Sequence, residues 1–267
     1  MSNTSVTTLV RSEFKKISST RLWWGLLIGV AVFTAFQAGF TAGFAGVEAG
    51  AGQPTSPGLD TDEAIRGVYS FAAFGGTYIF ALILGITGMT GEYRYQTITP
   101  TFLVSPKRSR VVSAKMLAHI VMGLVYGVVG VLSAVVVGGV VISIRGYDLG
   151  FDTDGLWVSM GLAVLAVAIW TLLGIGIGTL IRNQIVAILV AIFITFLIEP
   201  LLTVLFGALD LDSVGRFLPT NASSALMEPT NSFVDYLDWW AGGLVLLGYA
   251  LVLAALGIAL NIRRDVS

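Results

Sequence analysis

The sequence predicts an all-α integral membrane protein with six transmembrane helices, an amphipathic surface helix at the amino terminus and both termini in the cytoplasm. Three observations lead there. Hydrophobic residues make up 55% of the chain and charged ones only 12%, about half the charge that covers a soluble domain. Mean hydropathy is +0.86. The apolar residues gather in six continuous runs, each near the length of about 20 residues that carries a helix through a hydrocarbon core of about 30 Å. Continuous runs, rather than alternating ones, favour helices over a membrane barrel.

The elements follow in chain order. Residues 5–20 place Val6, Leu9, Val10, Phe14 and Ile17 at helical spacing with Arg11, Lys15 and Lys16 between them. That pattern reads as a helix lying on the inner membrane surface. The first span is expected over residues 22–45, with Trp23 and Trp24 in the interfacial aromatic belt. Its length, and the polar arm before it, argue against a cleaved signal peptide. Residues 46–66 are rich in Gly, Pro, Thr and Asp and read as a flexible outer loop. The second span is expected over 68–90, followed by an inner loop at 91–110. The third run, 111–143, exceeds what the bilayer requires, so its first turns around Ser113 to His119 are expected to emerge on one side. Spans four, five and six are expected over 156–181, 185–206 and 240–262, with Trp157, Trp239 and Trp240 at the outer face. The outer segment 207–238 contains Phe217, Leu218 and Met227 and is expected to hold short helices that dip toward the membrane. No soluble domain is evident, so residues 1–267 read as one transmembrane domain.

Orientation comes from the basic residues. Twelve of the fifteen Lys and Arg fall on the side of the termini and of the loops after spans two and four, against Arg66, Arg145 and Arg216 on the other. Both ends are therefore expected in the cytoplasm of a multi-pass protein of a bacterial cell membrane. A net charge of −1 suggests no nucleic-acid partner, and the absence of cysteine removes disulfides and thiol chemistry. A single histidine, His119, argues against a zinc or haem centre. No metal site and no catalytic residue is predicted.

The most informative stretch is GEYRYQTITPTFLVSPKRSRVVSAK, residues 91–115. It is long and densely charged for an inner loop and carries Ile98, Phe102, Leu103 and Val104. Two readings stand side by side: a short helix whose charged surroundings grip a cytoplasmic partner, or a solvated loop that only enforces orientation. Elsewhere, Gly25/Gly29, Gly39/Gly43 and Gly123/Gly127 repeat the Gly-x-x-x-Gly spacing that lets membrane helices approach closely. Gly174-Ile-Gly-Ile-Gly178 lacks the Lys of a phosphate loop and reads as helix packing. Ionisable residues inside lipid are functional candidates because burying a charge there is costly. Glu199, followed by Pro200, is the candidate: an outer gate, a contact for a cationic substrate, or an acid where the helix ends. His119 is expected at the inner interface.

An acid soon after the second span, then a Thr, an apolar stretch, a Pro followed by basic residues and a Lys opening a long third helix resembles the type-2 class of ABC export permeases. The residues are Glu92, Thr97, Leu103, Pro106, Arg108 and Lys115. Relatives usually carry a Gly before the Thr, where this chain has Gln96. The likeness extends to the surface helix, the spans and the long last outer segment. It implies a half-channel that pairs with a second permease copy, identical or paralogous, and with two cytoplasmic ATP-binding subunits. The inner loop would then be the coupling element, with Glu92, Arg94, Thr97, Phe102, Pro106 and Arg108 as its ATPase-coupling residues. It places the subunit seam partly on spans one and five, where Gly39 and Gly43 are the candidates. No cofactor is expected on this chain, which has no phosphate loop; ATP and magnesium would sit in the partner, and the chain itself would not be an enzyme.

The function expected is thus export of a hydrophobic or amphipathic molecule, such as an antibiotic, a lipid-like compound or a peptide. A secondary transporter driven by protons or sodium is the alternative, but it would need several acids or histidines in mid-membrane. A membrane enzyme would need converging polar groups, which the spacing does not provide. A non-transporting scaffold or sensor is the remaining class.

Overall fold

The computed structural model describes residues 6–47, 56–96, 108–227 and 236–264, which are helical almost throughout. Helix α1 covers Val6–Ser19 and α2 covers Leu22–Phe44. A short α3, Asp62–Arg66, leads through a π-helical turn, Gly67–Phe71, into α4, Ala72–Arg94. Helix α5 is Arg108–Ile144 and α6 is Leu156–Leu180. The fifth span consists of α7 (Gln184–Phe193), a π-helical turn (Ile194–Ile198) and α8 (Glu199–Ala208). Two short helices, α9 (Asp212–Gly215) and α10 (Pro219–Leu226), precede the last, α11 (Trp239–Arg264). Among the described residues six helical segments are long and apolar enough to cross a membrane. All six expected spans are present.

The boundaries differ where charged residues continue a helix. The second span does not stop near residue 90: α4 runs on to Arg94, so Glu92 lies within the helix. The third helix begins at Arg108, three residues ahead of the expected start. In its first turns Lys115 and His119 are covered by neighbouring helices, while Ser113 and Leu117 are exposed. The fifth span is interrupted just before Pro200 by its π-helical turn. Proline has no N–H to donate, and its ring crowds the carbonyl four residues earlier; the wide turn at Ile194–Ile198 opens the backbone at that point.

Helix ends are closed by side chains where the backbone would otherwise be unpaired. Asn183 accepts from Ile185 N at 3.0 Å and Val186 N at 3.2 Å, which starts α7 after a very short turn. At the other end of the bundle Arg145 donates to the carbonyls of Ala42 and Ala45 at 2.9 and 2.8 Å, a cation at the C-terminus of α2.

The core lies between α4 and α6. Glycine makes their crossing possible: a Cβ on Gly174 would meet Leu82 O at 2.2 Å, and one on Gly85 would meet Thr171 O at 2.1 Å. The glycine run 174–178 is therefore a packing surface, as read from the sequence. Gly123 and Gly127 serve the same purpose between α5 and α6, where added Cβ atoms would meet Ala168 Cα and Val164 Cα, each at 2.7 Å. Trp170 is fully buried, its ring tilted against that of Tyr78 with centroids 4.8 Å apart, and its indole N–H donates to Ser223 Oγ at 2.7 Å. By contrast α2 and the fifth span each turn a row of large apolar side chains outward, including Phe36, Phe40, Leu189 and Val204. Such a surface is stable only in lipid or against another subunit.

Candidate coupling site

Three elements meet at the end of the bundle that carries α1: α1 itself, the last turns of α4 and the first turns of α5. Helix α1 owes its attachment to two residues four apart, Glu13 and Ile17, both buried. Ile17 supplies the apolar contact. Glu13 enters a cluster with Lys16, Glu92 and Lys115.

The four side chains form a closed ring of alternating sign. Lys16 Nζ lies 2.7 Å from Glu13 Oε1 and 2.7 Å from Glu92 Oε1. Lys115 Nζ lies 2.5 Å from Glu13 Oε2 and 3.0 Å from Glu92 Oε1. Each carboxylate meets both ammonium groups, and each ammonium meets both carboxylates. The side chains of Lys115, Glu13 and Glu92 are 2%, 4% and 6% exposed, whereas Lys16 keeps 41%. Isolated charges buried this deeply would be prohibitive. The ring makes burial tolerable by neutralising every member.

Burial by itself opposes ionisation of Glu13, but Lys115 and Lys16 outweigh it and hold the carboxyl below its usual value. Burial likewise disfavours the charged Lys16, and hydrogen bonds to Glu13 and Glu92 outweigh that and raise it. Both groups are thus ionised across the physiological range.

The geometry defines what the ring does mechanically. Glu92 precedes segment 97–107 and Lys115 follows it, so their contact joins the two flanks of that segment. Glu13 and Lys16 fasten the joined flanks to α1.

Of the residues expected to couple to a partner, Glu92 is in the ring, and Arg94 sits beside it with Nη1 3.5 Å from Gln184 Oε1 at the start of the fifth span. Arg108 opens α5. Thr97, Phe102, Leu103 and Pro106 lie outside the described residues. Gln96 adopts φ +56°, the left-handed conformation that a glycine would provide.

The outer candidates are placed elsewhere. Glu199 is buried, and its Oε2 accepts from Thr220 N at 2.8 Å and Thr220 Oγ1 at 2.6 Å. The carboxylate caps the start of α10, while its own backbone continues the fifth span from the π-helical turn. Pro200, the second residue of α8, is exposed. Gly39 faces the chain's own α5, since an added Cβ would lie 3.3 Å from Val137 Cγ1; Gly43 faces open space.

Sequence reasoning missed Glu13, counted Lys16 only as a charge, and gave His119 little weight. A signal for Glu13 existed: among acids on the basic side of the bundle there are only Glu13, Glu92 and Asp265. A rare acid among many lysines and arginines is the one to suspect of pairing.

No curated protein matches the chain. A family model described as ABC-2 family transporter protein matches residues 9–198, from α1 to the π-helical turn of the fifth span. The match takes in all four residues of the ring and both flanks of the inner loop. With a family match over most of its length, and six helices among the described residues long and apolar enough to cross a membrane, the chain belongs to the ABC-2 transporter family, as a membrane component of the transporter.

Proposed function

We propose that this chain is the permease half of an ATP-driven exporter, paired with a second permease copy and two cytoplasmic ATP-binding subunits. The inner loop docks on the ATPase, the basic end of the bundle faces the cytoplasm, and ATP-driven closure pushes a hydrophobic or amphipathic substrate outward. The observation that carries the reading is the buried ring of Glu13, Lys16, Glu92 and Lys115, which ties both flanks of the loop to α1. A loop that only enforced orientation would have no use for buried charges, because surface lysines and arginines do that at no cost.

The test uses the reconstituted complex with its ATP-binding subunits. Glu92→Lys places a third cation in the ring and is expected to lower permease-dependent ATP hydrolysis by roughly 5- to 150-fold, the usual span of a coupling free energy. The fourfold exchange Glu13→Lys, Lys16→Glu, Glu92→Lys, Lys115→Glu restores the alternation and is expected to recover most of the loss. Glu92→Lys at wild-type ATPase rate, or a permease that never co-purifies with an ATP-binding subunit, would sink the proposal.

A further inference from the structure

Behind the ion ring lies a cavity of about 380 Å³, bounded by α1, the start of α2, α4 and α5. A volume of this order suits a small ligand or the head of a larger one. The apolar part of its wall comes from Ile17, Leu22 and Leu84. Its polar part includes Tyr95 and Gln184 together with lysines and hydroxyls that are already engaged.

The lysines on the wall are engaged by Glu13 and Glu92. The Thr87 hydroxyl donates to the carbonyls of Ile83 and Leu84, Ser19 to Lys16 O and Thr20 to Ile17 O. Those oxygens retain only accepting capacity. His119 is 1% exposed, with Nδ1 2.8 Å from Lys115 O. A carbonyl only accepts, so Nδ1 carries the proton and Nε2 presents a lone pair. Nε2 is buried and has no hydrogen-bond partner among the described residues. It points across Gly88, where a Cβ would come within 2.0 Å of it, and both residues line the cavity. An acceptor left unpaired in this way is costly unless something donates to it.

We propose that this cavity binds the hydrogen-bond-donating head of an amphiphile, a hydroxyl or protonated amine, on His119 Nε2, with the apolar part resting on Ile17, Leu22 and Leu84. Depth and access suit such a ligand. His119 lies seven residues into the apolar segment that starts at Val112, about 10 Å along the helix axis. Leu22, on the cavity wall, is 42% exposed at the start of the first span, so the site communicates with the surface that faces lipid. An anionic head finds no free cation here, and a head without N–H or O–H leaves Nε2 unpaired. The source of the donor head is either a bilayer lipid or a free amphiphile. The site is independent of the coupling role proposed above.

His119 is the sole histidine of the chain, so selective ¹⁵N-histidine labelling reports on this one ring, provided that the affinity tag contains no histidine. The purified permease is placed in phosphatidylcholine nanodiscs, whose heads carry no donor, and titrated with n-dodecanol or with its methyl ether. Dodecanol is expected to shift the Nε2 resonance in the direction of a hydrogen-bonded acceptor, the ether to leave it in place, and Nδ1 to stay protonated as evidence of an intact fold. Leu22→Trp, a change at an exposed rim position, is expected to abolish the response. Nanodiscs of phosphatidylethanolamine or phosphatidylglycerol separate the sources: a shift there without additive identifies a bilayer lipid, and a shift only with dodecanol identifies a free amphiphile. No shift under any of these conditions, an equal shift with the ether, or an unchanged response in Leu22→Trp would overturn the inference.

Discussion

Within the ion ring the two lysines have the same partners and different surroundings, and that difference sets their energetic weight. Lys115 is buried with both carboxylates, so Lys115→Met leaves Glu13 and Glu92 with one half-exposed cation between them. Breaking a buried pair in this way costs about 3–5 kcal/mol. Lys16→Met removes a group that water already screens and is expected to cost about 1 kcal/mol or less. Thermal melts of the two variants in the same detergent check the ranking. Their pH dependence follows from the two shifts. Glu13 is depressed, so its contribution is complete above the usual carboxylate value of 4.5 and is lost as pH falls through its lower folded value. Lys16 is raised, so its contribution is complete below 10.5 and is lost as pH rises through its higher folded value. Wild-type stability from the ring is therefore flat through neutrality, and a steep loss between pH 6 and pH 8, roughly the histidine range, would contradict this assignment.

At the scale of elements, α10 is the least self-sufficient part of the fold. Eight residues form no stable helix alone. It is held by Glu199 at its first turn, by Trp170 through Ser223, and by Ser159, whose hydroxyl donates to Met227 O at 3.2 Å. Gly242 of α11 lets it pack closely, since an added Cβ would meet Ala222 O at 2.4 Å. Glu199→Ala removes the capping carboxylate and is expected to loosen α10, at about 1–2 kcal/mol. Because the chain has no cysteine, Leu226→Cys on α10 offers a clean probe. Maleimide labelling of this buried position should accelerate several-fold in the Glu199→Ala background, and Glu199→Gln, which keeps an accepting oxygen, should slow it again. An unchanged labelling rate would remove the capping role.

For the whole molecule, the unequal packing of the spans is informative. Helices α4 and α6 are enclosed by their neighbours, while α2 and the fifth span touch the bundle along narrow stripes such as Val30, Thr34, Ala38 and Ala42, or Ala187, Ala191, Thr195 and Glu199. Their outward rows are where a second copy would sit. Gly43 opens onto that surface and Gly39 does not. Gly43→Cys is therefore expected to cross-link two copies under mild oxidation in membranes, and Gly39→Cys to remain monomeric on a non-reducing gel. The opposite pattern, or no cross-link from either, would take the first span out of the seam.

Sequence by itself determined the number of spans, their order and the presence of a charged loop at 91–115. Those follow from composition along one dimension, because the bilayer demands long apolar runs and internally satisfied backbone. It also showed Glu92, Lys115 and Glu199 as chemically conspicuous residues. What each touches was decided only by tertiary structure. Glu13 and Glu92 are 79 positions apart in the chain, and no local pattern reports that one lysine reaches both. Glu199 looked like a helix end because Pro200 follows it, yet a wide turn let the helix continue and turned the carboxylate onto α10. His119 read as a minor interfacial residue, since burial and an unpaired Nε2 are properties of the helices around it. Pairing of distant charges and the walls of a cavity arise from three-dimensional packing, which is why the membrane class was legible in the chain and the ring beneath its inner loop was not.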